Sequence, residues 1–101
     1  MAVIHQPRVA WDGARAFVMA ATSPRSEIFA AHVLSRLGSD MHDDFADTRR
    51  RLLRALVETG GDRYASDVEA GKWRFRLEDL LRSYPQLTDV VRDLTSEAFE
   101  L

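Results

Sequence analysis

Apolar residues recur along this chain at intervals of three and four, and almost nowhere at intervals of two. That spacing predicts helices and leaves no segment with the alternation of a half-buried strand. A first helix is expected over about 8–21, where Val9, Ala10, Trp11, Ala14, Phe17, Val18 and Ala21 share a broad face. Gly13 weakens its early turns. Thr22-Ser23-Pro24 breaks the chain, with Ser23 suited to capping and Pro24 to the first helical position. A second helix follows over about 24–37, carrying Phe29, Ala30, Val33, Leu34 and Leu37, and ends at Gly38.

A third helix is expected over about 40–59, capped by Ser39 or Asp40, with Met41, Phe45, Leu52, Leu53, Leu56 and Val57 on one side. Gly60-Gly61 closes it and Asp62 caps the next. The fourth, over about 63–82, carries Ala70, Trp73, Leu77, Leu80, Leu81 and Tyr84 as a stripe. Ser83-Tyr84-Pro85-Gln86 has the spacing of a capping box. The fifth runs over about 85–100 with Leu87, Val90, Val91, Leu94, Ala98 and Leu101. The expected fold is all-α. Helices three and four, each about 30 Å long at 1.5 Å per residue, form an antiparallel hairpin, and the shorter helices pack on it in a bundle of four or five. The expected core joins Trp73, Leu77, Leu80 and Leu81 to Leu52, Leu56, Leu87, Val91 and Leu94.

The fourth helix departs from simple amphipathy. Tyr64, Val68 and Phe75 fall opposite the Trp73 stripe, because nine residues, as from 68 to 77, make about two and a half turns. A helix apolar on two sides needs cover on both. Either another helix of the chain covers Phe75 or it is exposed, and an exposed aromatic flanked by Arg74 and Arg76 suits an interface anchor.

Composition narrows the function more than it names one. The 101 residues suit one domain, 1–101. The net charge of −2 gives no strong global attraction to nucleic acid or anionic lipid. The chain has no cysteine, so disulfides and thiolate metal sites are excluded. There is no spanning apolar run and no secretory pattern at the N-terminus, so the expected location is cytoplasmic. Lys72 is the single lysine beside thirteen arginines, an arginine-rich usage that suggests an actinobacterial source.

Two charged clusters invite chemistry. Asp40, Asp43, Asp44 and Asp47, beside His42, share a helix face. They read as charge complementing a helix N-terminus rather than as a cation site, because side chains on one exposed face diverge and no calcium-loop pattern is present. Arg49, Arg50, Arg51 and Arg54 resemble a phosphate patch but have Asp43, Asp47 and Glu58 within reach. A solvated salt-bridge face is the first reading, ahead of docking to an acidic protein and then to nucleic acid. His5, His32 and His42 are scattered, and no catalytic motif is present. No enzymatic activity, cofactor, metal or small-molecule substrate is expected.

Two resemblances can be set beside this reading. Trp11-Asp12-Gly13 is similar to the Trp-x-Gly of secreted WXG-type hairpins, but that family places it at the central turn, which here is Gly60-Gly61. Residues 14–100 give the better likeness. A small-residue helix is followed by an amphipathic helix ending in Leu37-Gly38, then by a Leu/Arg-rich helix. Trp73, Leu77, Leu80, Leu81, Pro85 and Leu87 then form a Trp-x-x-x-Leu-x-x-Leu-Leu-x-x-x-Pro-x-Leu tail. This resembles small helical domains of actinobacterial proteins of the effector-associated, adaptor type. The resemblance implies partner recruitment by helix packing and carries over no catalytic residue. Ile28 and Phe29 stand where that group commonly has a Trp.

The function expected from all this is a non-enzymatic interaction or adaptor module, self-associating or binding a helical partner through Tyr64, Val68, Phe75, Arg74 and Arg76. The alternative is a small regulatory or immunity protein of the antitoxin type, neutralising a partner through the acidic face.

Overall fold

A computed structural model describes residues 6–61 and 63–101, so His5 and the Asp62 cap lie outside the described residues. The order is α1 (Gln6–Ala21), α2 (Ser26–Leu37), α3 (Ser39–Thr59), α4 (Arg63–Ser83), a short 3₁₀ turn (Pro85–Leu87) and α5 (Thr88–Phe99). The fold is an all-α bundle of five helices, with no strand among the described residues.

The turns follow local chemistry. Ser23 Oγ accepts a hydrogen bond from the Arg25 amide at 3.1 Å, but α2 begins only at Ser26 with no side-chain cap, so Ser23 and Pro24 form the preceding turn and not the expected cap and first helical position. Gly38 joins α2 to α3 at a φ of 98°, and Gly60 ends α3 in the left-handed region at 72°. These are conformations that a Cβ disfavours. The expected capping box at Ser83 does not form. The segment after Tyr84 winds as the 3₁₀ turn instead, with no side-chain cap. Thr88 Oγ donates to the Pro85 carbonyl at 2.6 Å.

The α3/α4 pair is antiparallel, as expected. Its two helices are tied by Trp73 Nε1 donating to Thr48 Oγ1 at 2.8 Å and by Arg51 on Glu69. The centre of the bundle, however, is α1, packed against α4, α5 and α3. Its buried residues are mostly small: Ala10, Gly13, Ala14, Ala16, Ala20 and Ala21, with Phe17 and Val18. Small side chains allow close approach. A Cβ built on Gly13 would lie 2.9 Å from Leu77 Cδ1 and 3.2 Å from Val91 Cγ1. The glycine that weakens α1 locally is thus the point where α4 and α5 close on it.

Four aromatics from four helices fill the middle. The Phe17 ring lies 5.0 Å from Trp73 and 5.1 Å, edge-on, from Phe29, and Phe29 lies 5.3 Å from Phe45. Such offset and edge-to-face pairs contribute beyond their buried area. At the other end of α1, Gln6 Nε2 donates to the Leu81 carbonyl. Arg49 Nη1 donates to the Ala21 carbonyl at 2.6 Å, supplying a partner to the C-terminal end of α1.

Past that point α3 and α4 run on without α1 between them, to the Gly60-Gly61 turn. The molecule is accordingly elongated, 47 × 24 × 24 Å. This overhang corrects the expected core. Leu52 is buried, but Leu56 is 52% exposed and Val57 85% exposed. Leu80 and Leu87 are only partly buried, and Tyr84, placed in the α4 stripe, is exposed. For Leu56 and Val57 the periodic side chains are there, but the helix that would cover them stops at Ala21; Leu80, Tyr84 and Leu87 lie at the opposite end of the bundle, beside the start of α1. Leu52, Ala55, Leu56 and Ala65 instead line an open groove of about 340 Å³.

Candidate interaction surface

The inner and outer faces of α4 can be traced residue by residue. Glu69, Trp73, Leu77 and Leu81 are its buried positions. At about 100° per residue, Tyr64, Val68, Gly71 and Phe75 fall together on the far side. Their exposure settles the question left by the sequence. Phe75 is 69%, Tyr64 73% and Val68 37% exposed, so none of the three is buried by a second layer among the described residues.

Gly71 sits in the middle of that stripe. A glycine inside an exposed helix costs about 1 kcal/mol against alanine. At Gly13 the cost has a packing reason. At Gly71 a Cβ would meet nothing within 4 Å, so nothing in this fold requires the glycine.

Arg74 and Arg76 flank Phe75 in sequence but not in space. Arg76 turns inward. Its guanidinium lies over the Trp73 ring at 5.0 Å, and its Nε sits 3.3 Å from Asp44 Oδ2. Its Nη1 is buried without a hydrogen-bond partner, and the ring face beneath it supplies the compensating attraction. Arg74 stays at the edge of the stripe, 5.5 Å over the half-exposed Trp11 ring and a loose 3.8 Å from Glu78. The structure therefore groups Tyr64, Val68 and Phe75, keeps Arg74 at their edge and turns Arg76, half-buried, away from them onto Trp73.

The acidic and basic clusters are largely spent on each other and on α4. Asp44 pairs with Arg76, Asp47 with Arg50 and Asp43 with His42. Among the described residues no group of three or more His, Asp or Glu side chains is placed to hold a metal ion. Arg51 extends to α4, where its Nη2 lies 2.8 Å from Glu69 Oε1, and Lys72 Nζ reaches Glu69 Oε2 at 3.2 Å. Burial alone would push the Glu69 carboxyl up. The hydrogen bonds and charges of Arg51 and Lys72 outweigh it and hold the carboxyl below its ordinary value. The hydrogen bond to Glu69 raises Arg51 in turn. Sequence reasoning missed this triad because a Glu on the buried side of a helix gives no apolar signal, although the Glu69–Lys72 spacing on one helix was a hint.

Across the bundle, His32 pairs with Glu97 and Arg36 with Asp93 at 3.3 Å, joining α2 to α5. Among the described residues no helix is long and apolar enough to cross a membrane. Comparison with family models, with curated proteins and with solved structures finds no match to this chain.

Proposed function

We propose that this protein is a non-catalytic interaction module that works by helix packing, with the outer face of α4 as its contact surface. The observation that carries the reading is the exposed stripe of Tyr64, Val68 and Phe75 on a helix whose opposite face is already filled. Aromatic side chains present rigid apolar area and recur as anchors of binding energy. A partner covering them would complete the cover that a helix apolar on two sides requires. The likeness to adaptor-type helical domains points the same way, and a cytoplasmic setting fits the absence of cysteine. Neutralisation of a partner through the acidic face has less support, since Asp43, Asp44 and Asp47 are already engaged within the chain.

Photo-crosslinking tests the reading. A photoreactive phenylalanine analogue at position 75 should trap one discrete adduct, and the same group at exposed Gln86 should trap none. Equal, diffuse labelling from both positions would refute a dedicated surface on α4.

A further inference from the structure

We infer that the occupant of the α4 surface is a second copy of this chain, packed antiparallel, α4 on α4, about a two-fold axis near residues 69–71. The inference rests on the docking reading above and goes further by naming the partner and the register.

The first argument is the stripe itself. Tyr64, Val68, Gly71 and Phe75 are spaced four, three and four. The order of sizes is aromatic, medium, absent, aromatic. Turned end for end, the stripe matches itself in spacing and complements itself in shape. Tyr64 faces Phe75 of the second copy, and Val68 faces the space left by Gly71. The reverse pairs follow by symmetry, as a two-fold interface requires. Gly71 then has the function that the monomer does not give it. It lets two helix backbones approach closely, as Gly13 does inside the fold.

The second argument is charge. Arg63, Asp67, Arg74 and Glu78 run along one flank of the stripe, with signs plus, minus, plus, minus. In an antiparallel two-fold pair, like flanks meet. The register that sets Tyr64 against Phe75 brings Asp67 near Arg74 of the second copy and Arg63 near Glu78. The offset is two residues, about 3 Å at 1.5 Å per residue, within reach of these side chains. Each charge meets its opposite. Within the monomer these groups are weakly committed: Arg74 and Glu78 are 3.8 Å apart, and Arg63 and Asp67 join no ion pair among the described residues. A parallel pairing would bring neither Val68 to Gly71 nor these charges together. The surface is also small for a permanent complex, so the dimer should dissociate on dilution.

The test is sedimentation equilibrium over a concentration series, with helix content and melting checked for each variant. Wild type should rise from the 11.5 kDa monomer toward twice that mass. Gly71→Leu places a side chain where the monomer has open space, so it should keep its fold and melt no lower than wild type. It should nevertheless weaken association roughly 30-fold or more, the effect of losing one anchor. Asp67→Arg and Arg74→Asp should each weaken association, and the double variant should restore it. Wild type that stays monomeric at every concentration would overturn the second-copy inference and leave the crosslinking test of the α4 surface standing. Wild-type dimers indifferent to Gly71→Leu would place the dimer contact elsewhere and overturn the α4-on-α4 pairing, again leaving the crosslinking test of the α4 surface standing. Association lost with Gly71→Leu but not rescued by the double charge reversal would overturn the antiparallel register.

Discussion

The two faces of α4 are built from similar residues and meet different fates. The inner face places Trp73 between Phe17 and Phe45 with its Nε1 hydrogen bonded to Thr48, and Leu77 against α1. The outer face shows Phe75 and Tyr64 to solvent. Nothing in the side chains alone distinguishes a tryptophan that closes a core from a phenylalanine two positions on that does not. The difference lies in what the rest of the chain can reach. The glycines make the same point. Gly13 and Gly71 both interrupt helices, yet one is pressed by Leu77 and Val91 and the other meets open space. A costly residue with no internal reason is informative about what lies outside the chain.

Trp73→Ala should cost about 3–5 kcal/mol, since it empties a buried aromatic site and leaves Thr48 without its donor. Phe75→Ala, measured by thermal or urea unfolding of dilute protein, should stay within about 0.5 kcal/mol of wild type. Comparable losses for the two would mean that Phe75 is core.

The glycine pair should give opposite signs. Gly13→Ala forces its methyl group against Leu77 and Val91 and should destabilise by about 1–3 kcal/mol. Gly71→Ala should stabilise the monomer by up to about 1 kcal/mol, because it improves helix propensity without a clash. Melting temperatures that move in the same direction for both would remove the contrast.

Glu69 marks the seam between the covered part of α4 and its overhang. Its carboxyl is held below its ordinary value in the folded state. Its contribution to stability is therefore complete above the unfolded-state value of about 4.3 and disappears as pH falls through the lower folded value. Glu69→Gln should cost about 1–3 kcal/mol at pH 7, and the loss should shrink on acidification below pH 4. Urea unfolding of both proteins between pH 3 and 7 measures it; a gap that does not change with pH would mean that the carboxylate charge is irrelevant.

Much of this architecture was legible in the sequence. The 3.6-residue periodicity marks each helix, and Gly38 and Gly60 stop helices where glycine in the left-handed region is expected. Trp73, Leu77 and Leu81 read as core and are core. What could not be read was which helix occupies the centre. The buried surface of α1 is mostly alanine, which carries little apolar signal, whereas the longer α3/α4 pair carries large periodic side chains. Leu56 and Val57 have correct periodicity but lie beyond the end of α1, and periodicity says nothing of how far a neighbour extends. The candidate surface was legible in part. Tyr64, Val68 and Phe75 stood out as apolar groups on a second side, whereas the inward turn of Arg76 onto Trp73 depends on Asp44, 32 positions away in the chain. Gly71 carries no signal in the sequence, because its meaning lies in its empty surroundings.

If the outer face of α4 acts between chains and not within one, sedimentation velocity of wild type and Phe75→Asp across a concentration series will separate the two proteins. Phe75→Asp should keep its helix content and its cooperative melt, and sediment as a monomer at every concentration while wild type shifts toward the dimer. Association of Phe75→Asp equal to that of wild type, or its unfolding as a core variant would unfold, would rule out a contact between chains through this face.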